Sequence, residues 1–79
     1  MPWYDVVTIK NGAMKIRNKA IAVRKLVRLI FDALQSGDYK VTMMYIDTIE
    51  TQLKDMLEYC GDMRNLLIKN GVIGNEGKN

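Results

Sequence analysis

The chain has 79 residues, one Cys and no His. A single thiol excludes an intramolecular disulfide, and without imidazole the common zinc cages are excluded too. A chain this short rarely sustains a core alone, so the expected support is a second copy.

The composition, 48% hydrophobic and 27% charged, is that of a globular domain rather than a disordered one. The net charge of +3 is unevenly spread. Residues 1–36 carry seven basic and two acidic side chains, and residues 37–79 carry five and seven. A basic first half beside a mildly acidic second fits two complementary helices, or a basic face for an anionic partner.

The first ten residues lack the charged-then-apolar layout of a secretory signal, and no run approaches the ~20 apolar residues of a membrane span. A cytoplasmic protein that keeps Cys60 as a thiol, with no membrane partner, is the expectation. Residues 3–9, Trp-Tyr-Asp-Val-Val-Thr-Ile, are rich in aromatic and β-branched types, which favour extended chain. Asn11-Gly12 then reads as a break. Residues 1–12 are therefore expected as a short extended arm, with Trp3 packed on the helices that follow.

Residues 13–35 carry a helical pattern. Ile16, Ala20, Val23, Val27, Ile30 and Leu34 recur in steps of four and three, a heptad seam. Ala22, Leu26, Leu29 and Ala33 form a second row beside it. At ~100° per residue the two rows span about 200°, wide enough for two neighbours. Ser36-Gly37-Asp38 ends this helix and starts the next: Gly37 suits a left-handed C-terminal turn and Asp38 an N-cap. So short a link makes the two helices antiparallel neighbours.

The second helix, with its caps, covers residues 38–70. Its seam is Tyr39, Thr42, Ile46, Ile49, Leu53, Met56, Cys60, Met63 and Leu67. A break at Gly61 is the alternative to one continuous helix, because a first helix starting at residue 13 is about 12 Å shorter than the second at ~1.5 Å per residue. Since the seam passes Gly61 without a phase shift, the continuous helix is preferred. Residues 71–79 read as a flexible tail after Asn70-Gly71.

The chemistry of catalysis is sparse. There is no His, no phosphate loop and no metal-ligand spacing, and Cys60 falls in an apolar seam rather than beside a base. No catalytic residue, metal or cofactor is assigned. A strand before two helices resembles the ribbon–helix–helix layout of DNA-binding proteins. Here, however, no Lys or Arg precedes Lys10 and both helices are too long for that fold.

The expected fold is all-α: an antiparallel helical hairpin that dimerises into a four-helix bundle. Its dimer and core candidates are Ile16, Val23, Val27, Ile30, Leu34, Ile46, Ile49, Leu53, Met56, Cys60, Met63 and Leu67. The expected function is a non-enzymatic protein–protein interaction module. It would be a small adaptor, assembly factor or inhibitor of a larger protein, of a size common among phage-encoded proteins. Met43, Met44 and Tyr45 are its candidate partner surface, because Met adapts to varied partners. The alternative is a nucleic-acid-binding regulator using Arg17, Arg24 and Arg28 on one face of the first helix.

Overall fold

The computed structural model describes residues 1–71; from residue 72 onward the expected tail lies outside the described residues. Two helices account for nearly all of it: α1 (Trp3–Gln35) and α2 (Tyr39–Lys69). They form an antiparallel hairpin 52 Å long and only 12 Å thick along its shortest axis. No strand occurs among the described residues.

The N-terminal arm is corrected by this structure. Residues 3–12 are the first turns of α1, and the helix passes through Asn11-Gly12 without a break. Pro2 opens the helix, where a missing N–H costs nothing, and its carbonyl accepts from the amides of Asp5 (3.1 Å) and Val6 (3.3 Å). Asp5 lies in the first turn, where a carboxylate complements the helix dipole. The Thr8 hydroxyl donates to the Tyr4 carbonyl at 2.8 Å, so its polar group is met within the helix. Packing against α2 here outweighs the weak β-preference of Val6, Val7 and Ile9.

Gly12 shows why the supposed breaker belongs in a helix. A Cβ at this position would stand 2.7 Å from Met63 Sδ and 2.9 Å from Met63 Cγ. The missing side chain is the space that Met63 of α2 fills. Extending α1 to residue 3 also removes the length mismatch. The helices have 33 and 31 residues, and α2 runs unbroken through Gly61.

The link between them behaves as its residues suggest. Gly37 adopts φ +71°, a left-handed value that a side chain would strain. The Asp38 amide donates to Ala33 O (2.9 Å) and the Gly37 amide to Leu34 O (3.1 Å), the two bonds of a Schellman end. Asp38 then caps α2, accepting from the Val41 amide at 3.1 Å.

The helices meet along one seam each. In α1 the less exposed positions include Asp5, Ile9, Gly12, Ile16, Lys19, Val23, Leu26, Ile30 and Ala33, with Val7 and Ala22 off this line. In α2 they include Thr42, Tyr45, Ile49, Gln52, Met56, Tyr59, Met63, Leu66 and Asn70. Both sets step by three and four without interruption, as in an antiparallel coiled coil. Ile16, Val23, Ile30, Thr42, Ile49, Met56 and Met63 are common to the expected seams. The other member of each pair is displaced by one residue: Lys19 and Leu26 replace Ala20 and Val27, and Tyr45 and Gln52 replace Ile46 and Leu53.

Two glycine substitutions separate packing from propensity. Nothing lies within 4 Å of the place a Gly61 Cβ would take, so Gly61→Ala should stabilise the fold by about 0.5–1 kcal/mol. Gly12→Leu should destabilise it by about 1–3 kcal/mol, because Met63 occupies the space. Thermal and urea unfolding followed by circular dichroism measure both, and equal effects of the two would reject this account of Gly12.

Candidate interaction surface

The hairpin has two unlike sides. One is polar and joins the helices through charged groups. Lys19 Nζ pairs with Asp55 Oδ2 at 3.1 Å, and Lys15 Nζ stands 5.5 Å from the centre of the Tyr59 ring. A cleft of about 170 Å³ opens beside them, lined by Thr8, Asn11, Lys15, Tyr59 and Asp62 among others. These are partly exposed contacts of modest strength, and they fix register more than they add stability.

The other side is apolar. Because the helices are antiparallel, rows at the same heptad position fall on the same side of the pair. The row next to the seam in α1 is Val6, Ala13, Ala20, Val27 and Leu34. Its counterpart in α2 is Tyr39, Ile46, Leu53, Cys60 and Leu67. Every one of these ten is apolar. Further out on the same side stand Trp3 (79% exposed), Phe31 (66%), Met43 (58%) and Leu57 (71%). Lys10, Arg17 and Arg24 of α1 and Glu50 and Arg64 of α2 share this outer row.

The candidate residues divide accordingly. Ile16, Val23, Ile30, Ile49, Met56 and Met63 lie half-buried in the hairpin seam. Val27, Leu34, Ile46 and Leu53 are exposed on the apolar side, and Cys60 and Leu67 are partly covered at its edge. Trp3 does not pack on its own chain, contrary to expectation. The extended arm that would have folded it back does not form, and its helical position points it to the open side. Met43, Met44 and Tyr45 are not brought to one surface. Met43 lies on the apolar side, Met44 on the polar side, and Tyr45 in the seam. Arg17, Arg24 and Arg28 are all exposed, and none takes part in the ion pair found among the described residues.

Residues that periodicity did not single out hold the open end of the hairpin. Asp5 is 4% exposed, and its Oδ2 accepts from Asn70 Nδ2 at 3.1 Å. The same Asn70 nitrogen donates to Leu66 O at 2.7 Å. The signal available in the sequence was the unbroken step from Ile16 back through Gly12 and Ile9 to Asp5. Thr42, also buried, sends its hydroxyl to Asp38 O at 2.9 Å. Among the described residues no three Cys, Asp or Glu side chains converge as a metal site, and no helix is long and apolar enough to cross a membrane.

Comparison with protein-family models, with curated proteins and with solved structures finds no match to this chain.

Asn70→Ala would leave the buried Asp5 carboxylate without its donor. It should cost about 1–3 kcal/mol in unfolding free energy. Asn65→Ala, at an exposed position of the same helix, should stay within about 0.5 kcal/mol of the parent in the same denaturation experiment.

Proposed function

We propose that this chain is a non-enzymatic protein–protein interaction module: a small adaptor, assembly factor or inhibitor of a larger protein, working as a homodimer. The observation that carries this reading is the continuous apolar side of the hairpin. Exposed apolar area on this scale marks an interaction surface. The surface differs from a catalytic site in kind. It is flat and apolar, whereas reaction sites gather polar groups in a concave pocket. The partly covered Cys60 thiol suits a reducing, cytoplasmic setting.

A nucleic-acid-binding role is the second reading, supported by Arg17, Arg24 and Arg28 standing exposed on basic α1. No aromatic lies between these three Arg to stack a base, which favours the protein partner.

Capture from host lysate with the wild-type chain, a Met44→Ala variant and an Arg17→Ala/Arg24→Ala/Arg28→Ala variant tests the choice. The Met variant should lose the captured proteins while keeping its helical circular dichroism, and nuclease should not matter. Loss confined to the Arg variant, with sensitivity to nuclease and a steep fall with salt, would reverse the assignment.

A further inference from the structure

The two helices make contact along the more polar of the rows available to them. The hairpin seam contains Asp5, Gly12, Lys19, Gln52 and Asn70. The ten neighbouring positions that could have replaced half of it carry no charge, yet eight of them are left exposed beside the seam. A coiled-coil pair in isolation needs only its seam apolar, whereas a helix in a bundle adds a third apolar row on one flank. Both helices here add that row, and both add it on the same side. Meanwhile the hairpin alone leaves no side chain fully buried among the described residues. Its helices are arranged as half of a bundle.

Resting on the dimeric module proposed above, we infer that a second copy of this chain covers the apolar side, its two-fold axis running parallel to the helices. Each α1 then lies against the partner's α2, and every pair of adjacent helices is antiparallel.

Three features favour a second copy. The first is extent: a face 52 Å long and two helix widths, roughly 20 Å, across offers on the order of 1,000 Å² per chain. A stable interface needs about 800 Å² per partner. The second is shape, because two identical flat faces of equal length cover each other completely under a two-fold axis. The third is charge. Residues 1–36 carry a net +5 and residues 37–79 a net −2, so a copy supplies the complement to its own basic helix.

Charge also selects the axis. With the axis perpendicular to the helices, α1 would face the partner's α1, setting Lys10, Arg17 and Arg24 against the same three groups. With the axis parallel, axial levels are preserved, as the intrachain pairs Asp5–Asn70 and Lys19–Asp55 define them. Arg24 then stands level with the partner's Glu50, and Phe31 with the partner's Met43. One like-charged pair, Lys10 with the partner's Arg64, falls near the open end. One repulsion beside one attraction is less costly than three basic residues facing three.

Light scattering on the full chain tests the dimer, and cross-linking tests the axis. The wild-type mass should be twice 9.1 kDa at micromolar concentration. Leu53→Asp, in the apolar row, should lower the apparent mass towards one chain, whereas Thr48→Asp, on the opposite side, should leave the dimer intact. Because Leu53→Asp can also unfold the hairpin, Leu57→Arg, which sets a cation level with the partner's Arg17, serves as a second variant. At 71% exposure its side chain contributes little to the hairpin, and it should dissociate the dimer without loss of helicity. In Ala13→Cys, mild oxidation should join the new thiol to Cys60 of the partner subunit and give a dimer band on a denaturing gel. Wild type, whose two Cys60 thiols lie diagonally across the bundle, should give none. A wild-type monomer, or a Leu57→Arg dimer as tight as the parent, overturns the interface. A Cys60–Cys60 band in wild type, or no band in Ala13→Cys, overturns the axis. A monomer would also remove the homodimer from the proposed function, whereas the larger partner is tested by the lysate capture alone and the axis by cross-linking alone.

Discussion

The register in which α1 and α2 meet determines what the rest of the molecule can be. Each helix carries an apolar arc wider than one neighbour requires, and the register decides which part of it is used. Charged and polar groups set that register. Asn70 holds the Asp5 carboxylate at the open end, Lys19 pairs with Asp55 near the middle, and Asp38 caps α2 at the closed end. Gly12 adds a steric condition, since Met63 fits only where a side chain is missing. Individually these contacts are small. Together they favour one rotation of the helices over the neighbouring one, in which the more apolar rows would face each other and be consumed.

Specificity gained at some cost in burial is a known use of polar groups in helix pairs, where a single polar residue can choose register or oligomeric state. The same logic accounts for the unequal sides of this hairpin. One side carries the ion pair and the Lys15–Tyr59 contact, which remain effective while wet. The other carries, next to the seam, a row on each helix that gains by losing water. A hydrophobic side of that length on so thin a molecule explains why no fully buried side chain is found among the described residues: the hairpin is a single layer, and helices need a second layer to enclose a core.

Much of this architecture was legible in the residues. The closed end followed from Gly37 and Asp38, whose roles depend only on local backbone geometry, and the unbroken course of α2 followed from a seam that kept phase across Gly61. The start of α1 lies ten residues before the helical pattern of residues 13–35. Composition over residues 3–9 pointed to extended chain, while the opposing signals, Pro2 at the first turn and Asp5 within it, are short and depend on position. The seam was displaced by one row for a different reason. Periodicity identifies the arc but not its division between neighbours, and choosing the most apolar row selected Val27, Leu34, Ile46 and Leu53, which the hairpin leaves exposed. The row most like a core in its composition is the one the hairpin leaves without a neighbour.

That division of the arc also bears on where a larger partner would dock. If the apolar side is enclosed between two copies, Met43 and Phe31 go with it, and the surface open to other proteins is the polar side and the outer face of each α1. Met44 remains there, with Leu29 exposed on the same side and Met14 and Ile21 along the outer ridge of α1. These are single apolar residues set among Asn11, Asn18, Lys25 and Asp32. A mixed surface of this kind suits contacts that form and dissociate, whereas the continuous row on the other side suits a permanent one. The proposed adaptor and dimer roles are therefore compatible on one hairpin, because they would use different sides.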